Sequence, residues 1–297
     1  MTAIDDHTER FTLLRPLLFT IAYEILGSAT DADDVLQESY LRWAEVDLST
    51  VRDTKAYLAQ LVTRQALNTL RTQMRRREEY VGPWLPEPLL LDERDGASDV
   101  VLAESVSVAM LVVLETLSPD ERAVFVLREV FGFSHDDVAS AVGKSSVAVR
   151  QMAHRARRHV QARRRRFDPV DARQSERIIT EFLSAAITGD LEGLMSMLAP
   201  DVVFTADSDG KVSAARRPVL GAEKVARLVI GLMTRAGAEY RLELTTCNGA
   251  PAMIAYRHDR PDSVFTIELS GGRISHFYVI RNPEKLVAAT VARQISR

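Results

Sequence analysis

Residues 134–166 read SHDDVASAVGKSSVAVRQMAHRARRHVQARRRR, two helical segments separated by a turn at Gly143, with positive charge accumulating along the second. Between Lys144 and Arg166 stand nine basic residues (Lys144, Arg150, Arg155, Arg157, Arg158, Arg163, Arg164, Arg165 and Arg166) and no Asp or Glu. The whole chain carries a formal charge of only −3, so this excess is a local patch, and a cationic patch on a helix is suited to a polyanion.

The preceding residues supply the first helix of the pair and its punctuation. Ser118 is a predicted N-cap, with Pro119 at the first helical position and Glu121 placed to complete a capping box. Val124, Phe125, Leu127 and Val130 form its buried stripe. Ser134 caps the next helix, Asp136 and Asp137 suit its positive end, and Val138, Ala139 and Val142 face inward before Gly143 closes it. Ser145 or Ser146 begins the last helix, buried through Val149, Met152 and Ala153. This is helix-turn-helix spacing. Arg150 and Gln151 then fall on the open face near the helix N-terminus, the part that enters a major groove, where Arg matches guanine and Gln matches adenine. Arg155, Arg157 and Arg158, further along, are placed for phosphates.

Working outward, the N-terminal block is helical from about residue 9 to 77, with a break at Gly27 and Ser28. Residues 30–47 carry six carboxylates (Asp31, Asp33, Asp34, Glu38, Glu45 and Asp47) against one arginine. Asp34, Gln37, Glu38 and Leu41 share one helical face, whereas Val35, Leu36 and Trp43 are core positions. From Lys55 to Arg77 the sign reverses, with six basic residues (Lys55, Arg64, Arg71, Arg75, Arg76 and Arg77) and no acid. Residues 78–100 hold Pro83, Pro86 and Pro88 and read as a linker. A second helical block spans 101–166, and a domain of different character starts near 172. There, helices at about 174–188, 190–198 and 221–236 accompany strand-like runs YRLELTT, PAMIAYRH, SVFTIEL and RISHFYVI, an α+β arrangement.

At 297 residues, 46% hydrophobic and 27% charged, the chain is long enough for about two or three domains. No apolar run reaches the roughly 18 residues of a membrane span, which predicts a soluble, cytoplasmic protein without membrane contact. Cys247 is the single cysteine and the six histidines are scattered, so no intrachain disulfide, metal site or cofactor is expected.

The segments DADDVLQESYLRW and DTKAYLAQLVTRQALNTLRTQMRRR, followed by the helix-turn-helix, together resemble regions two and four of an extracytoplasmic-function sigma factor, the specificity subunit of bacterial RNA polymerase. The resemblance covers about the first 165 residues. It implies that Asp33, Asp34, Gln37 and Glu38 dock on the polymerase core. It further implies that Lys55, Tyr57, Arg64, Asn68 and Arg71 bind and help open the minus-ten promoter element, and that Ser146, Arg150, Gln151, Arg155 and Arg158 meet the minus-thirty-five element. Capturing a displaced strand requires a cationic track and stacking surfaces, which fits the basic helix and Tyr57.

Trp84-Leu85-Pro86-Glu87-Pro88 followed by a SnoaL-like domain, the cone-shaped fold shared with nuclear transport factor two, resembles the sigma-factor subgroup with a fused C-terminal regulatory domain. That subgroup has a DGGGK turn and an NPDKL-like tail. Here the first appears as Asp207-Ser208-Asp209-Gly210-Lys211, and two missing glycines predict a differently shaped turn. The tail is Asn282-Pro283-Glu284-Lys285-Leu286. The resemblance implies the architecture 1–77 region two, 78–100 linker, 101–166 region four and 172–297 regulatory domain. The expected whole is a multi-domain protein of two all-α modules and an α+β cone, the cone packing against the linker and one or both sigma modules and so tuning initiation in cis through the spacing of the two DNA-binding surfaces. Two other readings stay open on the residues: a stand-alone helix-turn-helix regulator that senses a small-molecule effector in the cone, and a cone enzyme using Asp207, His258 or His276 as acid and base, although no motif fixes such a catalytic pair.

Overall fold

The computed structural model describes residues 3–91, 100–163 and 172–297. Arg164, Arg165 and Arg166 lie outside the described residues, as does the expected boundary at Pro169. The chain forms two compact units: residues 1–79, 91–164 and 293–297 make the first, and residues 80–90 and 165–292 the second. These limits differ from the expected ones at two places. The Trp84–Pro88 segment belongs to the second unit, and the last five residues belong to the first.

In the first unit, α1 (Ala3–Leu26), α2 (Ala29–Trp43) and α3 (Thr54–Arg77) form a bundle. Leu18, Ile21, Leu36, Trp43, Leu58 and Val62 are its buried centre. Gly27 ends α1 at a φ of 69°, and Ser28 caps α2 by accepting the Asp31 amide at 3.0 Å. The expected core positions Val35, Leu36 and Trp43 are buried, and the Trp43 indole N–H donates to the His7 carbonyl at 2.9 Å.

The second helical block comprises α4 (Val100–Ser105), α5 (Val108–Leu114), α6 (Pro119–Phe125), α7 (His135–Val142) and α8 (Ser146–Arg163). The helix that starts at Pro119 widens into a π turn over Val126–Val130, with the Phe131 amide reaching the Val126 carbonyl at 3.3 Å. Ser134 and Asp137 form a complete capping box. The box expected at Ser118 is different: its oxygen accepts the Glu121 amide at 3.4 Å, but the Glu121 carboxylate accepts from the Ser118 hydroxyl at 2.8 Å and from Arg155 at 3.2 Å. Glu121 thus shares its two oxygens between the cap hydroxyl and Arg155. Gly143 closes α7 in the left-handed region, at φ 67° and ψ 39°.

A buried polar junction joins the two helical blocks. Arg122 of α6 is 1% exposed; its Nε donates to the Glu24 carbonyl at 2.8 Å and its Nη1 pairs with Glu115. The Ser105 oxygen lies 2.6 Å from Glu24 Oε1 and 2.9 Å from the Leu102 carbonyl. The hydroxyl is directed at both, its single hydrogen shared between the carboxyl and the carbonyl. Burial pushes the Glu24 carboxyl up from 4.5 to about 8.

In the second unit, α9 (Ala172–Thr188) and α10 (Leu191–Met197) lead into β1 (Leu198–Asp207). After the short β2 (Val219–Leu220) come α11 (Ala222–Ala236), β3 (Tyr240–Cys247), β4 (Ala250–Arg257), β5 (Arg260–Ser270), β6 (Arg273–Ile280) and α12 (Pro283–Leu286). The sheet order is β2-β1-β6-β5-β4-β3, with β1 parallel to β6 and the other pairs antiparallel, which is the α+β arrangement expected. Two-residue turns at Asn248-Gly249 and His258-Asp259 connect β3–β4 and β4–β5, all four residues having φ between 50° and 69°. Phe182, Phe204 and Phe277 cluster where α9 meets the sheet, with ring centroids 5.2 Å and 5.9 Å apart.

Candidate nucleic-acid and regulatory interfaces

The acidic face of α2 is built as its spacing predicts. Asp34, Gln37 and Glu38 are exposed, and Leu41 beside them is 66% exposed, an apolar side chain that the fold leaves uncovered among acids. Asp33 is placed differently. One of its oxygens pairs with Arg15 at 3.2 Å and the other with Arg293 at 3.1 Å. Arg293 also lies over the Phe19 ring at 5.7 Å, Ile295 is buried, and the Ser296 amide donates to Thr20 Oγ1 at 3.2 Å. The chain's last residues thus cover one corner of this helix.

The basic helix α3 displays Lys55, Arg64, Asn68 and Arg71 on exposed positions. Tyr57 is 37% exposed and its ring sits 5.7 Å from that of Trp43, so it is half core and half surface. Two of the arginines are already engaged. Arg64 donates to the Ser140 carbonyl of α7 at 2.8 Å, and Arg71 pairs with Asp120 of α6 at 2.7 Å. Asp120 also pairs with Lys144 at 3.3 Å, and Lys55 lies 5.8 Å from the centre of the Phe133 ring. The track expected to hold a DNA strand therefore faces the helix-turn-helix. This arrangement was not legible in the sequence, because Ser140 offers a main-chain carbonyl and has no side-chain signature.

On α8, Arg150 and Gln151 are exposed, while Val149, Met152 and Ala153 are buried, as the stripe requires. Ser145 is the cap, accepting the Ala148 amide at 3.2 Å, and Ser146 bonds Asp136 across the turn. Arg155 pairs with Glu121 and Arg157 with Glu129, whereas Arg158 is exposed on the same helix.

The second unit brings the two motif segments and the Trp84–Pro88 string into one cluster centred on Asp207. Residues Leu85, Pro86, Glu87, Pro88 and Leu89 are buried. The Asp207 carboxylate, fully buried, accepts the Leu85 amide at 2.7 Å, the Lys285 ammonium at 2.6 Å and the Tyr80 hydroxyl. Lys285 also donates to the Leu85 carbonyl at 2.5 Å and stands 4.1 Å from the Trp84 ring centre. Asn282 caps α12 through the Glu284 amide and donates to the Tyr80 oxygen at 2.9 Å. Burial and the Asp207 charge push the Tyr80 phenol far above its usual range, so it stays a donor at all ordinary pH.

Asp209 and Gly210 take left-handed conformations, at φ 50° and 66°; Asp209 accepts the Val81 amide at 3.1 Å and Lys211 pairs with Glu284 at 2.6 Å. The turn that lost two glycines still makes its contacts, since Asp tolerates the left-handed region and adds an acceptor glycine lacks. At the far end, Leu89 exchanges hydrogen bonds with Asn248 at 2.8 and 2.9 Å. Tyr80 and Asn248 complete the dock and carried no sequence signal, and Leu286 of the tail is buried.

The three acid–base candidates do not converge. Asp207 is committed to the cluster above, His258 occupies an exposed hairpin turn, and His276 pairs with Glu268 at 3.5 Å.

Comparisons with known proteins agree with the first unit's layout. Residues 11–76 match the family Sigma-70 region 2, and residues 107–160 match Sigma-70, region 4. The ECF RNA polymerase sigma factor SigJ of Mycobacterium tuberculosis H37Rv is 37% identical over 94% of this chain and 93% of its own length. The probable ECF RNA polymerase sigma factor SigI of the same species is 28% identical over 92% of each. The crystal structure of M. tuberculosis SigJ superposes with a TM-score of 0.76 at 34% identity, covering 95% of this chain and 98% of the other. An exposed acidic helix, a basic helix and a capped helix-turn-helix thus sit in a chain whose full length follows a sigma factor, and the protein belongs to the extracytoplasmic-function sigma factors of bacterial RNA polymerase.

Proposed function

We propose that this sigma factor works through three surfaces whose access is controlled by its own fold. Asp34, Gln37, Glu38 and Leu41 dock on the polymerase core, with Asp33 joining once Arg293 lets go. Lys55, Tyr57, Arg64, Asn68 and Arg71 take the minus-ten element. Ser146, Arg150, Gln151, Arg155 and Arg158 take the minus-thirty-five element. The observation that carries this reading is the engagement of Arg64 by Ser140 and of Arg71 by Asp120. A first unit closed in this way cannot offer α3 to a separated strand, so initiation requires the two helical modules to part.

The Trp84–Pro88 string, docked on Asp207 and Lys285, supports a role for the second unit in setting that equilibrium. It shortens the free connection between the modules by holding residues 80–89 down. The unit acts by contact rather than by catalysis, in the cytoplasm where core polymerase and promoter meet. Run-off transcription with purified core polymerase tests the reading. Charge reversal at Glu38 should abolish initiation through loss of core binding, and Arg150→Ala should abolish promoter choice while core binding persists. A chain that binds promoter duplex tightly by itself, and gains nothing from core polymerase, would refute it.

A further inference from the structure

The second unit contains a cavity of about 440 Å³ between α11 and one face of the sheet. That is within the range of about 300–1,000 Å³ typical of small-molecule sites. Its walls are apolar where they are deepest: Phe204, Ala255, Phe265 and Val279 from alternate positions of the strands, and Leu232 and Met233 from α11. A second, fully apolar pocket shares Phe204, Leu232, Met233 and Phe265 and continues the space toward Phe182 and Phe277.

Two of the three charged side chains of the cavity pair with each other. Arg281 Nη2 pairs with Asp262 at 2.7 Å, both side chains being 22% exposed, and Nη1 donates to the Ser213 carbonyl at 2.5 Å. Arg235, the third charged residue of the lining, is exposed. A charged group carried away from Arg235 into the space beside Phe204 and Phe265 would have to break the Arg281–Asp262 pair or lie unpaired against phenylalanines, both costly. A neutral one need do neither.

The cavity also stands back to back with the linker dock. Ala206 and Arg281 line it, and their immediate neighbours Asp207 and Asn282 hold the linker on the other side. The two pairs are tied directly, because the Arg281 amide donates to the Asp207 carbonyl at 2.7 Å.

We infer that this cavity binds a neutral, largely apolar small molecule bearing one hydroxyl or carbonyl that meets the Arg281–Asp262 pair, and that its occupancy strengthens the docking of the Trp84–Pro88 segment. The coupling rests on the proposed regulatory role of that segment; the binding site does not. An occupant that fixes Arg281 and Ala206 restrains Asp207 and Asn282. By reciprocity a docked linker raises affinity for the ligand.

The test uses the full chain and two fluorescent probes, neutral N-phenyl-1-naphthylamine and anionic anilinonaphthalene sulfonate. The neutral probe should bind saturably at one site per chain and at least tenfold more tightly than the anionic one. Ala255→Leu and Leu242→Trp, which fill the cavity from different strands, should each weaken it at least tenfold with the far-ultraviolet circular dichroism unchanged. Two fillers guard against one failing to fold. Absent saturable binding, equal affinity for the anionic probe, or indifference to a folded filler would overturn the site. Lys285→Met, which touches the dock and not the cavity, should weaken the neutral probe severalfold. Unchanged affinity there would overturn the coupling while leaving the site, and transcription assays of the same variant would show separately whether the dock regulates initiation.

Discussion

Lys285→Met offers the sharpest test of the linker dock. The substitution keeps the aliphatic stem and removes an ammonium that reaches Asp207 at 2.6 Å and the Leu85 carbonyl at 2.5 Å. Asp207 is 0% exposed and would keep only the Tyr80 hydroxyl and the Leu85 amide. Breaking a buried pair on one side costs about 3–5 kcal/mol, because a charge is left without its counterpart. The protein has a route of escape that limits the loss. If the segment 80–89 lifts, Asp207 regains water without unfolding the sheet. The predicted signature is therefore local: amide hydrogen exchange at Leu85 and Leu89 should accelerate by roughly two to three orders of magnitude, at 1.4 kcal/mol per decade, while amides of β6 keep their rates. Mass-spectrometric exchange resolves these segments. The double variant Asp207→Asn with Lys285→Met removes both charges and should recover much of the lost protection, the cycle reporting the pair itself. Acceleration below about threefold at Leu85 in the single variant, with the fold intact, would show that this pair does not hold the linker.

Other perturbations follow from the same geometry. Glu24 has a raised pKa when folded, so the native state binds the proton more tightly. Stability should fall as pH rises from 4.5 toward about 8, and Glu24→Gln should flatten that dependence in urea titrations and exceed the parent at pH 8 by on the order of a few kcal/mol. Asp120→Asn frees both Arg71 and Lys144, exposed partners worth about 1 kcal/mol or less, so thermal stability should barely change while run-off transcription rises severalfold. Arg293→Ala uncovers Asp33 and should raise core-polymerase affinity in a fluorescence titration. Gly143→Ala, with open space around its new methyl, should cost only the left-handed strain of about 1 kcal/mol. Gly210→Ala adds contact with Val81 at 3.3 Å and should cost more, a difference readable in unfolding midpoints.

The parts of this fold that sequence reveals are those written in adjacent residues. The Ser134 cap, the Gly143 stop and the Val149–Met152–Ala153 stripe are written in local spacing and appear as read, and Asp137, read only as an acid suited to the helix dipole, also completes a capping box with Ser134. The motif segments at 84–88, 207–211 and 282–286, and the packing of the last domain on the linker, were expected through resemblance, but the individual pairings were not legible. Tyr80 meets Asp207 across 127 residues and Lys285 meets Leu85 across 200, and neither pairing leaves a local trace. The division of the chain was misleading for a related reason. Pro86 and Pro88 correctly exclude a helix, yet a segment without helix or strand can still be fully buried when its amides find side-chain partners, as Leu85 and Leu89 do in Asp207 and Asn248. Arg122 carries no local signal in the sequence and is the centre of a buried junction.

Arg64 and Arg71 of α3 hold oxygens of their own protein, and under the proposed minus-ten role that has a thermodynamic corollary. Added electrolyte loosens Arg71 from Asp120 at the same time as it weakens the grip on nucleic acid. The slope of promoter affinity against salt should then understate the number of phosphates contacted, because part of each electrostatic gain replaces one already present in the closed molecule. Under the proposed role, promoter DNA competes with Asp120 for a cation, and opening is an exchange of anions.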